Sequence, residues 1–295
     1  MNNYYAIEAG GTKFICCWGS GPHDLHDMVS IPTTTPAETI PQIIAHIKKS
    51  QKKAELKGIG AAIFGPLGLN PEFDDYGLIT STPKLAWRNY DIVGVLQKET
   101  GLDLVFDTDV NVTAMGEHKW GAAKDISDFV YITVGTGVGG GIFVGNKLCH
   151  GALHPEIGHM LIPSLSYDPG NSICPYHDNC LEGLASGPSL KERWNVDSAM
   201  DLPPDHKAWE IESYYLALAV VNITFALSPK KIIMGGGVMQ QTQLFPMIRK
   251  KVLDLVAGYV SHPYLSDIDN YIVPPGLKNN AGVLGGIALA EERFK

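Results

Sequence analysis

The feature that most constrains this chain is a short unit that it contains twice. Residues 4–8 (YYAIE) and 13–18 (KFICCW) are β-branched and aromatic, with Gly10 and Gly11 between them. Residues 129–134 (FVYITV) and 142–144 (IFV) flank a second turn, Gly135-Thr136-Gly137-Val138-Gly139-Gly140-Gly141. Each predicts a hairpin, because glycine supplies the backbone conformations that a tight turn needs. A unit used twice points to two related lobes facing each other across a cleft; two unrelated hairpins would have a similar composition.

Strands and helices alternate along the rest of the chain. Pro36 opens a helix to about Gln51, with Ile40, Ile43, Ile44 and Ile47 at helical spacing. Further strands are expected at 58–64, 102–106, 231–234 and 271–273. Helices are expected at 90–100, after the polar corner Asp107-Thr108-Asp109 toward Trp120, at about 206–227 and 243–257, and at 281–292. This order predicts an α/β protein. Residues 145–180 are rich in Gly, Pro, His, Asp and Cys without periodicity, and an irregular stretch of that length calls for a function or a staple.

At 295 residues the chain is long enough for two medium lobes. Its 23 basic and 31 acidic residues give a net charge of −8, which argues against nucleic acid or an anionic membrane as partner. A phosphate ligand would therefore be held locally, by backbone amides or a metal. No signal peptide is evident at MNNYYAIEAGG, and no apolar run is read as approaching the roughly 18 residues that span a bilayer. The five cysteines, Cys16, Cys17, Cys149, Cys174 and Cys180, read as reduced thiols or metal ligands. The expected compartment is the cytoplasm.

Gly10-Gly11-Thr12-Lys13 and Thr136-Gly137 offer backbone N–H groups at tight turns, which form anion-binding concavities. Either turn alone is better explained as a plain hairpin; the two together with Gly235-Gly236-Gly237 favour a nucleotide site. Gly135, Gly137 and Gly140 imitate the dinucleotide fingerprint G-x-G-x-x-G. That motif needs a helix directly after it, whereas residues 142–144 are expected to form a strand. There is no G-x-x-x-x-G-K-[ST] run and no G-x-S-x-G elbow.

Asp107 and Asp109 are expected at the end of a strand, where ligands of α/β sheets gather, and a carboxylate there can take the proton of an attacking hydroxyl. An Asp helix cap explains the same position, and Asn111 could share the pocket. His159 followed by Cys174, His177 and Cys180 provides two thiolates and two imidazoles for a structural zinc, which would clamp the irregular 145–180 segment. Cys149, His150 and His154 are less well spaced and are expected to stand apart. Glu156 and Glu182 flank the metal candidates and would suit recognition of sugar hydroxyls; solvated surface carboxylates are the default alternative.

Ile7-Glu8-Ala9-Gly10-Gly11-Thr12-Lys13, Asp107-Thr108-Asp109-Val110-Asn111, Val134–Gly141, Glu156-Ile157-Gly158-His159 and the Cys174/His177/Cys180 group before Leu181-Glu182-Gly183 occur in this order. Together they resemble the ROK family of repressors, uncharacterised reading frames and sugar kinases. Ser81–Tyr90 and Cys-Pro-Tyr-His look most like its bacterial fructokinase branch. The resemblance implies a two-lobed, actin-like (ribonuclease-H-like) α/β fold with a cleft between the lobes. It implies phosphoryl transfer from MgATP to fructose, at O6, and extends to mannose. Glucokinase or another hexose or N-acetylhexosamine kinase is the alternative. A non-catalytic sugar-sensing regulator is a remote one, since its helix-turn-helix would have to precede a glycine loop that begins at residue 10. A dinucleotide oxidoreductase is more remote still.

What the resemblance assigns is Asp109 as base; Asn89, Asn111, Glu156, His159 and Glu182 on the sugar; and residues 10–13, Thr136, Gly137 and Gly235–Gly237 on the nucleotide. Zinc falls to His159, Cys174, His177 and Cys180. Two positions depart from the common pattern: Glu8 stands where many members carry Asp, as a candidate Mg2+ ligand, and His177 replaces a thiolate. The expected lobes are 1–112 with the helix at 281–295 packing back, and 113–280 with the zinc-tied loop 145–183. Expected partners are the sugar and MgATP, in a homodimer.

Overall fold

The first hairpin folds as the glycine spacing predicts: Asn3–Ala9 (β1) and Lys13–Gly21 (β2) pair antiparallel, with Ala9 opposite Phe14. The computed structural model describes residues 2–82 and 84–295; Pro83, within the Ser81–Tyr90 resemblance, lies outside the described residues. An edge strand, Asp24–Pro32 (β3), follows, then the helix Pro36–Gln51 (α1), with Thr35 at the N-cap and Pro36 in its first turn. Ile40, Ile43 and Ile47 of α1 are buried, as their spacing requires. Next come Leu56–Ile63 (β4), the two-residue strands Leu78–Ile79 (β5) and Tyr90–Asp91 (β6), Ile92–Thr100 (α2), Leu104–Thr108 (β7) and Asp109–Trp120 (α3). Asp91 caps α2 by accepting from the Gly94 N–H, and Gly101 ends that helix at φ 70°.

The following stretch repeats the plan. Phe129–Val134 (β8), Val138–Val144 (β9) and Lys147–Leu148 (β10) precede Leu181–Ala185 (α4), Gly187–Trp194 (α5) and Ala208–Leu227 (α6). Lys231–Gly235 (β11), Leu244–Val256 (α7), Pro263–Ser266 (α8), Ile268–Tyr271 (α9), Ile272–Val273 (β12) and Ala281–Arg293 (α10) complete the chain.

Two sheets result, β3-β2-β1-β4-β7 and β10-β9-β8-β11-β12. In each, the first three strands are antiparallel neighbours and the last three run parallel. The repeated hairpin is therefore the visible part of a repeated five-stranded sheet. Each sheet belongs to a separate unit: residues up to Asp125 with His150–His154 and Gly276–Lys295, and Ile126–Cys149 with Pro155–Pro275. The expected boundary at 112 falls inside α3. That helix stays whole with the first unit because α10 packs along it so closely that a Cβ on Gly285 would lie 1.9 Å from the Val112 carbonyl oxygen. Residues 150–154 also group with the first unit, not with the rest of the 145–183 loop.

In the first unit, Tyr5, Ile7, Phe14, Ile43, Ile59, Trp87 and Leu96 form one core layer, and Tyr4, Ala6, Cys17, Val283 and Ile287 fill the other face of the sheet. In the second, Trp209, Tyr215 and Leu216 of α6 pack with Val130, Ile232 and Ile248. Ala208–Leu227 is long and apolar enough to cross a membrane, where no such run was expected, but 61% of its apolar stretch is buried. It is built as a core helix, apolar on all sides.

Candidate active site

In the first unit, three connections lie at the carboxyl ends of the parallel strands: the Gly10 turn after β1, Gly65-Pro66 after β4 and Asp107–Asn111 at β7. This is the edge of an α/β sheet where ligands bind. At the first connection, Thr33 fixes the turn by donating Oγ1 to the Gly10 carbonyl (2.8 Å) and N–H to the Thr12 carbonyl (2.9 Å). Among the described residues the Gly11 and Thr12 amides have no acceptor, so the turn presents donors, as an anion site does.

At β7, Thr108 is the N-cap of α3, not an aspartate, its hydroxyl accepting from the Asn111 N–H at 3.3 Å. Asp109 is half-buried in the first helical turn, and its Oδ1 accepts the Val110 N–H at 2.9 Å. Burial pushes its carboxyl up to about 6, against the pull of that hydrogen bond. Glu8, on β1, is pushed up to about 7, first by burial and then by the charge of Asp109; Lys13 and the Val283 N–H act in the opposite direction. The Glu8 carboxyl lies over α10, where a Cβ on Gly282 would come within 2.3 Å of its Cδ. Glu8, a half-buried carboxylate whose proton affinity is raised by burial and by the charge of Asp109, suits a hard divalent cation.

Asp107 is buried and uses both oxygens. Oδ1 accepts the Thr108 N–H and the Asn111 Nδ2, each at 2.7 Å, and Oδ2 lies 2.8 Å from Nε2 of His150. Sequence spacing set His150 and His154 aside as poor metal candidates, and neither joins the metal cluster. Both instead hold residues 150–154 in the first unit, His154 by accepting the Leu67 N–H at 3.3 Å. Asn89 is exposed, in a left-handed turn at φ 55°, and among the described residues it takes no part in the hydrogen bonds of Asp107 and Asn111.

In the second unit the corresponding strand ends carry the other glycine turns. Gly135 N–H donates to the Gly137 carbonyl (2.8 Å), and the Gly187 N–H, at the start of α5, donates to the Gly135 carbonyl (2.7 Å). Among the described residues the Thr136 and Gly137 amides have no acceptor. Gly236, at φ 94°, passes so close to Val134 that a Cβ would meet its carbonyl oxygen at 2.4 Å. Only glycine allows these two turns to lie side by side. Glu182 Oε2 accepts the Val138 N–H at 2.9 Å, tying α4 to the same turn.

His159, Cys174, His177 and Cys180 place one ligand atom each within 4.8 Å of one another. Cys174 Sγ is 3.6 Å from His177 Nδ1 and 4.0 Å from His159 Nδ1. Ligand atoms of a tetrahedral zinc are about 3.3–3.8 Å apart; the first spacing lies in that range and the second just beyond it, and two thiolates with two imidazoles are a donor set that suits the ion. His159 turns Nδ1 to this cluster while Nε2 lies 3.9 Å from Glu182 Oε1, so a metal ligand and a candidate sugar carboxylate share one imidazole. Glu156 is exposed, with its carbonyl accepting the His159 N–H at 3.0 Å.

Two sheets of this order, each with amide-lined turns at its parallel strand ends, define a two-lobed, actin-like phosphotransferase. The chain matches the ROK family model over residues 4–293, and it belongs to the ROK family. It is 46% identical over 290 residues to the fructokinase of Pediococcus pentosaceus, covering 98% of each chain. To the fructokinase of Streptococcus mutans serotype c it is 38% identical over 293 residues, covering 98% of this chain and 97% of the relative. Among solved structures it is similar to a ROK family glucokinase from Streptomyces griseus in complex with glucose and AMPPNP. The TM-score is 0.77 at 21% identity, with 99% of this chain and 100% of that chain covered. At that identity the likeness bears on the fold.

Proposed function

We propose that the protein transfers the γ-phosphoryl group of ATP to fructose, at O6. What carries the reading is Asp109: a half-buried carboxylate with its carboxyl near 6, at the strand-end edge of a sheet that also carries an amide-lined turn. Fructose as acceptor rests on fructokinases that match nearly the whole chain at 46% and 38% identity.

A carboxyl near 6 is ionised at neutral pH yet more basic than an exposed aspartate, which suits a general base. Asp109 would take the hydroxyl proton as the oxygen attacks phosphorus. Phosphoryl transfer then requires alignment and charge neutralisation more than covalent help. The Gly11, Thr12, Thr136 and Gly137 amides would hold phosphate oxygens, with Gly235–Gly237 lining the nucleotide. Glu8 would hold Mg2+, which would supply neutralisation of the triphosphate when bound. Asn89, Asn111, Glu156, His159 and Glu182 would hold the sugar. Zinc on His159, Cys174, His177 and Cys180 would fix the segment that leads into α4, which carries Glu182.

The test is ADP release by the purified protein with fructose, mannose, glucose and N-acetylmannosamine, and identification of the phosphorylated product. The expected result is fructose-dependent ADP and fructose 6-phosphate. Absence of sugar-dependent ADP with every acceptor would overturn the proposal.

A further inference from the structure

Asp107 gathers three hydrogen bonds on one buried carboxylate, and their chemistry fixes the orientation of a neighbouring amide. An ionised carboxylate only accepts. The end of the Asn111 amide that lies 2.7 Å from Asp107 Oδ1 is therefore the nitrogen, and the oxygen is the opposite end. The same reasoning makes His150 Nε2, 2.8 Å from Asp107 Oδ2, a donor. Asn111 Nδ2 and His150 Nε2 are 3.4 Å apart, two donors converging on one acceptor group. Asn111 is 1% exposed, and its Oδ1 has no hydrogen-bond partner in the protein. A buried acceptor in the first turn of α3, two residues beyond the base, is thus held ready for a donor from outside the chain.

We infer that His150 is a positioning residue for sugar recognition: it fixes Asp107, which fixes the Asn111 amide so that Oδ1 accepts a hydroxyl of the sugar. The inference rests on the kinase reading above. His150 acts through Asp107, and Asn111 is the group that meets the substrate. His150 is itself 41% exposed, and His154 ties the other end of the 150–154 segment to Leu67. The inference goes beyond a staple for that segment, since a staple would not influence which hydroxyl is read.

Steady-state kinetics of His150→Ala, His150→Gln and Asp107→Asn, with melting curves and a set of monodeoxyfructoses, test it. His150→Ala is expected to raise the KM for fructose about tenfold and change the KM for ATP less than about twofold. The Gln amide can still donate to Asp107, so His150→Gln should return fructose KM to within about threefold of wild type. One deoxyfructose should suffer in wild type a penalty that shrinks in His150→Ala, the coupling expected of an oriented acceptor. Should the alanine protein melt early, Asp107→Asn carries the same expectation, because an amide cannot accept all three donors. An active wild type with unchanged fructose KM in His150→Ala and Asp107→Asn overturns the inference alone. Equal loss in the Ala and Gln variants at wild-type melting temperature also overturns it. A wild type that neither phosphorylates nor calorimetrically binds any hexose removes the kinase reading and this inference together.

Discussion

Thr108 Oγ1 accepts the Asn111 N–H at 3.3 Å, so α3 is capped by a threonine that stands between two aspartates. The arrangement separates three tasks that the sequence packs into five residues. Thr108 serves the helix end, Asp107 orients Asn111, and Asp109 is left with one short-range backbone hydrogen bond and a raised proton affinity.

Asp109→Asn is expected to lower kcat with fructose by about 10²–10⁴, the range for loss of a general base. Its pH dependence follows from the sign of the shift. The base works ionised, so activity is present above about 6 and is lost as pH falls through that value. Stability runs the other way: the folded carboxyl lies above an ordinary aspartate, so ionising it opposes folding as pH rises. The asparagine variant should therefore melt no earlier than wild type at pH 8. A kcat/KM profile without an acid limb near 6, or retained turnover in Asp109→Asn, would exclude the role.

Gly282→Ala tests the seat of Glu8. A Cβ there would come within 2.3 Å of the Glu8 Cδ, and 2.5 Å of its Oε2, inside the close-packed start of α10. The carboxylate must move, at a cost of about 1–3 kcal/mol for an overpacked site. The half-saturating Mg2+ concentration should rise several-fold, and more at pH 6 than at pH 8, because Glu8 titrates near 7 and must be ionised to hold a cation. Unaltered Mg2+ dependence would separate Glu8 from the metal.

How much of this was legible in sequence depended on how local the signal was. The hairpins, the helix at Pro36 and the Cys174–Cys180 spacing are written within a few residues and appear where they were expected. Strand β3 was missed because it is an edge strand in which Ile31 alone is fully buried, so no alternation marks it. The end of the first unit was placed too early, since α3 is held by α10, far along the chain. His150 was passed over because its partner Asp107 lies 43 residues earlier and neither residue advertises the other.

Zinc makes a distinct prediction. Purified protein should contain about one equivalent, and Cys174→Ser should lose it, leaving three ligands of a four-ligand set. Chelation should lower the melting temperature, because binding of a structural metal is coupled to folding. It should also raise the KM for sugar, as His159 links the cluster to Glu182. A full zinc equivalent in Cys174→Ser would contradict the assignment.

Glu117 is the most consequential buried carboxylate away from the site. It is fully buried; Oε2 accepts the N–H groups of Ala122 (2.6 Å) and Gly276 (2.9 Å), and Oε1 accepts that of Leu277 (2.9 Å). Residues 122 and 276–277 are the segments by which the chain leaves and re-enters the first unit, so one side chain satisfies both. Glu117→Ala would remove the acceptor of three part-buried backbone donors and should destabilise the protein by on the order of 2–4 kcal/mol. Glu117→Gln keeps one acceptor oxygen and turns its amide nitrogen toward another donor, so an intermediate loss is expected. Urea unfolding of the three proteins measures the order, provided a single transition is seen. A loss below about 1 kcal/mol in Glu117→Ala would mean that water replaces the carboxylate at these amides.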